Sequence, residues 1–218
     1  MSEVYFLRKI EPARLFYKDG VLYSETFQDI YHTHRSATEE AQHVFLNANA
    51  LDRRFQAFSA TTILETGFGV GVNFLETVQL FKRVRGSGNR LNYISIERHP
   101  FVSSDLEKYY RASDFSEDIY QPLLDKYPKL APGFHSINFD AFSINLLLLF
   151  GDIESILFEL QAGVDVFFLD GFSPSKNPKM WSESVGAELR RLSKPGASLS
   201  SYTVASGVRD TLSKNGFL

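Results

Sequence analysis

From residue 61 onward, apolar side chains come in short unbroken blocks, separated by stretches in which they recur every three or four positions. The blocks are Thr61–Thr66, Leu91–Ile96, Ile144–Phe150, Val164–Leu169 and Ala197–Val204. Such runs, β-branched and aliphatic, predict strands buried on both faces. Between the first two blocks, Phe74, Leu75, Val78, Leu80 and Phe81 fall near helical spacing. Further helices are predicted over Pro100–Arg111, Ser116–Tyr127, Ile153–Leu160, Pro178–Leu192 and Gly207–Lys214. Buried strands alternating with helices mean a parallel sheet covered on both sides, with right-handed crossovers. The fold class is therefore α/β, a Rossmann-like, doubly wound, mostly parallel sheet.

The first sixty residues read differently. Leu15–Tyr23 places Asp19-Gly20 between two β-rich runs, which predicts a hairpin. Glu39–Leu46 predicts a helix. Residues 1–60 are expected to be a hairpin/helix cap within the same domain, and residues 61–218 the main sheet.

Composition narrows the possibilities. The 218 residues are 44% apolar and 22% charged, which is globular, and there is no cysteine for disulfides, thiolate metal sites or a sulfur nucleophile. Leu146–Phe150 ends at Gly151 and Asp152, far short of the roughly 20 apolar residues of a membrane-spanning helix. Met1–Glu11 carries charges throughout and does not read as a signal peptide. A cytoplasmic protein without a membrane segment is expected. Net charge is −3, yet residues 171–218 carry seven basic and three acidic side chains. A locally basic end on an acidic body can meet a polyanion in one place, or can simply carry solvated Lys and Arg on its helices. His32, His34, His43, His99 and His135 show no metal-ligand spacing, so no metal is assigned.

The chemistry clusters at strand ends, where open α/β sheets bind ligands. Glu65-Thr66-Gly67-Phe68-Gly69-Val70-Gly71 joins the first strand to its helix. Its glycines follow G-x-G-x-G. The dinucleotide spacing G-x-G-x-x-G would need glycine at Val72, which disfavours NAD. A pyrophosphate would meet the Glu65 carboxylate, whereas the ammonium and sulfonium of S-adenosylmethionine (SAM) would be attracted to it. The other reading is a tight turn that needs small residues for packing. Glu97, ending the second strand, can accept both ribose hydroxyls of a nucleoside, and Asp152, after the third, can accept from an adenine amino group. Taken singly, either could be surface charge.

Asp170 follows the fourth strand and opens the run Asp170-Gly171-Phe172-Ser173-Pro174. A carboxylate there must be paired or used. It can orient an amine N–H in line with a methyl donor and take the released proton. It could also cap the turn that follows it. Phe172 offers a ring face to a base or a sulfonium. Lys176 and Lys179 can reach phosphates or remain solvated, and Trp181 has the spacing of a core residue.

Ile63–Leu75 and Leu169–Trp181 resemble the methyltransferase module of MnmC-type tRNA-modifying enzymes. The run L-D-G-F-S-P-x-x-N-P-x-M-W is characteristic of that family. Val44–Asn47, Ser95–Pro100 and Ser201–Ala205 add to the match, which covers the chain from about residue 14 onward. The resemblance implies a class I SAM-dependent methyltransferase. It would methylate the 5-aminomethyl group of (2-thio)uridine at the tRNA wobble position, giving the 5-methylaminomethyl product. It also implies that Glu65, Gly67, Gly69, Gly71, Glu97 and Asp152 serve the cofactor. Asp170 and Phe172 would face the target amine and base, and Asp29, Tyr31 and Glu40 would shape the pocket. Relatives of this type continue past the Gly216-Phe217 position with further strands carrying basic residues, so a domain shortened at that edge is expected. Some fuse the module to an FAD-dependent oxidoreductase, for which 218 residues leave no room. Other readings are an enzyme of the same fold acting on a small-molecule amine, and a non-catalytic domain of that fold.

Overall fold

The computed structural model describes residues 9–19, 21–31 and 37–217. Its centre is a six-stranded sheet. The strands are β4 (Ala60–Glu65), β5 (Arg90–Glu97), β6 (Gly133–Phe139), β7 (Ile144–Phe150), β8 (Val164–Leu169) and β9 (Ser193–Ser201), in the order β6-β7-β5-β4-β8-β9. All pairings are parallel except β6 with β7. The five predicted strands are all present. Four of them sit close to the predicted bounds, and β9 lies about four residues earlier than predicted.

Successive strand residues alternate between two cores. Ile63, Tyr93, Leu148, Val166 and Phe168 join one cluster; Leu64, Ile94, Leu149, Phe167 and Leu169 join the other. That period of two is why the sequence blocks are apolar at every position: each face has its own helices to bury against. One layer is built from α2 (Leu51–Ala57), α3 (Val72–Val84), α4 (Ser103–Arg111) and α5 (Glu117–Lys126). The other is built from α6 (Ile153–Glu159), α7 (Glu183–Leu192) and α8 (Ser206–Lys214).

Four local departures have physical causes. The edge strand β6 was not predicted. It is half-exposed, so Phe134, His135, Ser136, Ile137 and Asn138 read as a mixed stretch and not as an apolar block. The helix predicted over Pro178–Leu192 is interrupted. A 3₁₀ turn over Pro178–Trp181 comes first, and Ser182 then caps α7 by accepting from the Val185 N–H. Strand β9 begins at Ser193 and absorbs Pro195-Gly196 in a register shift opposite Val164 and Val166, tolerable on an edge strand. Finally, the helix predicted from Glu39 starts earlier, as α1 (Ala37–Glu40), and widens into a π-helical segment over Ala41–Asn47.

The predicted hairpin is β1 (Leu15–Lys18) paired antiparallel with β2 (Val21–Ser24), with Asp19 in a left-handed conformation. Gly20 of that turn lies outside the described residues, as do His32 and His34. A third strand, β3 (Asp29–Ile30), extends the hairpin. Among the described residues no helix is long and apolar enough to cross a membrane.

Candidate active site

The chain runs from β4 outward through β5 to β7, then returns to β8 on the other side of β4. That reversal opens a crevice at the carboxyl ends of the strands. A cavity of about 840 Å³, counting its open mouth, lies there. Its walls come from the β4–α3 loop, the ends of β5 and β7, the loop after β8, and Phe27, Ile30 and Tyr31 of the cap.

Gly67, Gly69, Glu97, Asp152, Asp170, Phe172, Tyr31 and Lys179, all singled out from the sequence, line this cavity. Glu65, Gly71, Asp29, Glu40 and Lys176 do not. The glycine loop divides accordingly. A Cβ on Gly67 would lie 2.9 Å from the Asp170 carbonyl oxygen, so glycine there lets two loops cross closely. Gly71, at φ +77°, starts α3, and a Cβ on it would strike the Phe68 ring at 2.8 Å. Gly71 thus serves packing, as the tight-turn reading required, and Tyr110 reinforces the same bend by donating to the Val70 carbonyl at 2.5 Å.

Glu97 organises the loop from the neighbouring strand. Its two oxygens accept from the Gly69 N–H and the His99 N–H, both at 2.8 Å. Each carboxylate oxygen keeps a further lone pair for a ligand hydroxyl. Asp152 caps α6 by accepting from the Glu154 N–H at 3.2 Å, and its other oxygen lies 3.7 Å from the Arg98 guanidinium. Glu97, Asp152 and Asp170 give the cavity three carboxylates, against the two cations Arg98 and Lys179.

Glu65 corrects the expectation of a ligand-facing carboxylate. It is fully buried, with one oxygen accepting from Asn73 at 2.8 Å and the other from Ser95 at 2.6 Å. Loss of water pushes its carboxyl up to about 8, and the nearby Asp170 charge adds to this. Asp170 itself is partly exposed at the cavity wall. Its oxygens accept from the Gly171 N–H at 2.8 Å and from Asn73 at 2.6 Å. Burial raises its carboxyl to about 6, partly offset by these two donors.

Phe172 faces the cavity, but one face of its ring is taken. Phe27 stacks on it at 4.4 Å, and Tyr31 meets it edge-on at 5.1 Å. Trp181 packs partly buried and donates to the Phe172 carbonyl at 3.1 Å, which pins this loop. Asp29 ties the cap to the same loop by accepting from the N–H and the hydroxyl of Ser173. Tyr31 and Tyr202 hold their protons tightly. Burial is the main cause for both, with Glu97 adding for Tyr31, and Asp170, Asp29 and Glu40 for Tyr202. Burial also raises the Glu40 carboxyl. Sequence reasoning missed Phe27, Ile30, Met180 and Asn73. The first three carry no chemical signature, and Asn73 gains its meaning only from the two acids that the fold brings to it.

A family model described as S-adenosyl-L-methionine-dependent methyltransferase matches residues 115–218. The bifunctional protein MnmC of tRNA 5-methylaminomethyl-2-thiouridine biosynthesis from Aromatoleum aromaticum is 41% identical over 209 residues, 95% of this chain and 33% of that protein. Its counterpart from Cupriavidus metallidurans is 38% identical over 213 residues, 96% of this chain and 32% of that protein. The chain therefore spans about a third of the length of these curated relatives. A crystal structure of MnmC2 from Aquifex aeolicus superimposes with a TM-score of 0.76 at 21% identity. It covers 95% of this chain and 65% of that one, and so supports the fold.

Proposed function

We propose, for a chain that belongs to the S-adenosyl-L-methionine-dependent methyltransferase family, that its substrate is the 5-aminomethyl group of (2-thio)uridine at the wobble position of tRNA. SAM is the cofactor, and when bound it would supply the methyl group by cleavage of its sulfonium S–CH3 bond, leaving as neutral S-adenosylhomocysteine. The observation that carries the reading is Asp170: a carboxylate at the cavity wall, fixed by two donors, with its proton affinity set near 6. At neutral pH it is an ionised base of the right strength to orient an amine N–H. It accepts the proton that leaves nitrogen as the N–C bond forms, and passes it to solvent at the cavity mouth.

The remaining groups bind and position. Glu97 takes the ribose hydroxyls through the lone pairs left by Gly69 and His99. Asp152, next along the crevice, faces the adenine side. Gly67 and Gly69 let backbone approach the donor. Phe172, backed by Phe27 and Tyr31, presents a supported aromatic edge beside the target base. The described residues before β4 act as a cap, which Asp29 ties to the loop after β8, while Glu40 adds negative charge beside Asp170. Lys179 at the cavity rim and the exposed Lys176 contact tRNA phosphates. Such a substrate supports a cytoplasmic location. The length of the relatives supports a working partner, an FAD-dependent oxidoreductase module in a longer or separate chain.

The test is methyl transfer from labelled SAM to tRNA that carries the unmethylated amine, against small primary amines. Incorporation into that tRNA, absent from tRNA lacking the aminomethyl group, is expected. Equal labelling of the small amines would reject tRNA as the substrate.

A further inference from the structure

Asn73, the second residue of α3, is buried, and its single side-chain nitrogen donates to two carboxyl groups. One hydrogen goes to Glu65 at 2.8 Å and the other to Asp170 at 2.6 Å. An amide NH₂ has only those two hydrogens, so its donor capacity is fully used. The two acids come from different strand ends, β4 and β8, and Asn73 is what spans them. Ser95 also donates to Glu65, and the Gly171 N–H donates to Asp170.

Two carboxyl groups that share one neutral donor, one of them fully buried, do not both ionise easily. Their surroundings differ. Glu65 has no exposure at all, and its neighbours are neutral: Ser95, Asn73 and the buried Tyr93 phenol. Asp170 borders the open cavity, although Glu40, Glu97 and Tyr202 add negative or easily polarised groups on its other sides. The proton therefore settles on Glu65 and the charge on Asp170. No cation among the described residues bridges the pair.

We propose that Asn73 is the positioning residue for Asp170, and that Glu65 behind it is held neutral so that Asp170 alone carries the negative charge. The inference rests on the methyltransferase reading only for what Asp170 does once charged. Asn73, itself on the cavity wall, fixes one Asp170 oxygen and favours its ionised form, leaving the free lone pairs for the acceptor. A neutral Glu65 serves as a fixed acceptor for Asn73 without adding repulsion.

The test is a ¹³C NMR titration of protein labelled at Asp and Glu carboxyl carbons, in the absence of any substrate. Signals are assigned by loss in Asp170→Asn and Glu65→Gln. The expected result is Glu65 protonated and Asp170 ionised at pH 7, with Asn73→Ala raising the Asp170 midpoint by about one unit. In methyl-transfer assays the same variant lowers kcat while leaving SAM affinity within about threefold. Glu65 ionised at pH 7, or an Asp170 midpoint unmoved in Asn73→Ala, overturns the proposal. Should Asn73→Ala not fold, Glu65→Gln decides it. The Asp170 midpoint then stays within a few tenths of a unit, whereas a fall of one unit or more would show that a charge had been removed. Because the titration needs neither SAM nor tRNA, a protein that failed to methylate tRNA would still give a readable answer.

Discussion

Two glutamates end neighbouring strands and meet different fates. In the sheet, Glu65 of β4 stands level with Ser95 of β5, while Glu97 is two residues further along β5. At about 3.3 Å per residue, that offset lifts Glu97 roughly 6–7 Å toward the open crevice. The same comparison holds across the other neighbour. Glu65 is level with Phe168 of β8, and Asp170 lies two residues beyond it. There is thus an inner level, dry and packed, and an outer level, bordering the cavity. The carboxyl on the inner level is fully buried, whereas the carboxyls on the outer level border the cavity. Asn73 is the link between them. A strand-end position alone does not decide function; register against the neighbours does.

The comparison can be broken at either level. On the outer level the largest effect belongs to Asp170. Asp170→Asn slows methyl transfer by about 10²–10⁴-fold, and SAM affinity by calorimetry changes little. Collapse of SAM binding instead would move Asp170 from base to cofactor ligand. Next is Glu97→Ala, which weakens SAM binding by about 1–3 kcal/mol, because a charged acceptor and the order of the Gly69 N–H are lost together. On the inner level, Glu65→Gln acts on stability. The carboxyl's proton affinity is raised on folding, so the folded state binds more protons than the unfolded one as pH climbs from the ordinary glutamate range to about 8. Wild-type stability therefore falls over that window, and the neutral glutamine is exempt. The melting temperature of Glu65→Gln relative to wild type should rise between pH 5 and pH 8; a constant difference would mean that Glu65 is already ionised. The smallest effect is at the rim. Lys179→Ala weakens tRNA binding by about two- to threefold and lowers its salt dependence by about one ion, with Lys176→Ala weaker still, since Lys176 lies outside the cavity.

Much of the architecture was legible in the sequence because burial on both faces writes unbroken apolar blocks, as in Leu146–Phe150 and Val166–Leu169. Where burial is one-sided the signal fades, so β6, with His135, Ser136 and Asn138 in its alternation, passed unread. The site was legible as a set of residue types at strand ends, but not as a geometry. Glu65 and Glu97 look alike in the chain, and only inter-strand register separates them. Gly71 resembles a ligand-loop glycine, yet the Phe68 ring claims its open side. Asn73 was overlooked because a single asparagine in a helix's first turn carries no motif, and its meaning comes from two acids, 8 and 97 residues away.

The account depends on outer-level carboxylates receiving the methyl donor while the inner level stays closed to it. A crystal structure with S-adenosylhomocysteine tests this most directly. The ribose hydroxyls are predicted on Glu97 and the sulfur on the Asp170 side of the crevice, with Glu65 still bonded to Asn73 and Ser95. A ligand whose amino group reached Glu65, or whose ribose lay away from Glu97, would contradict it.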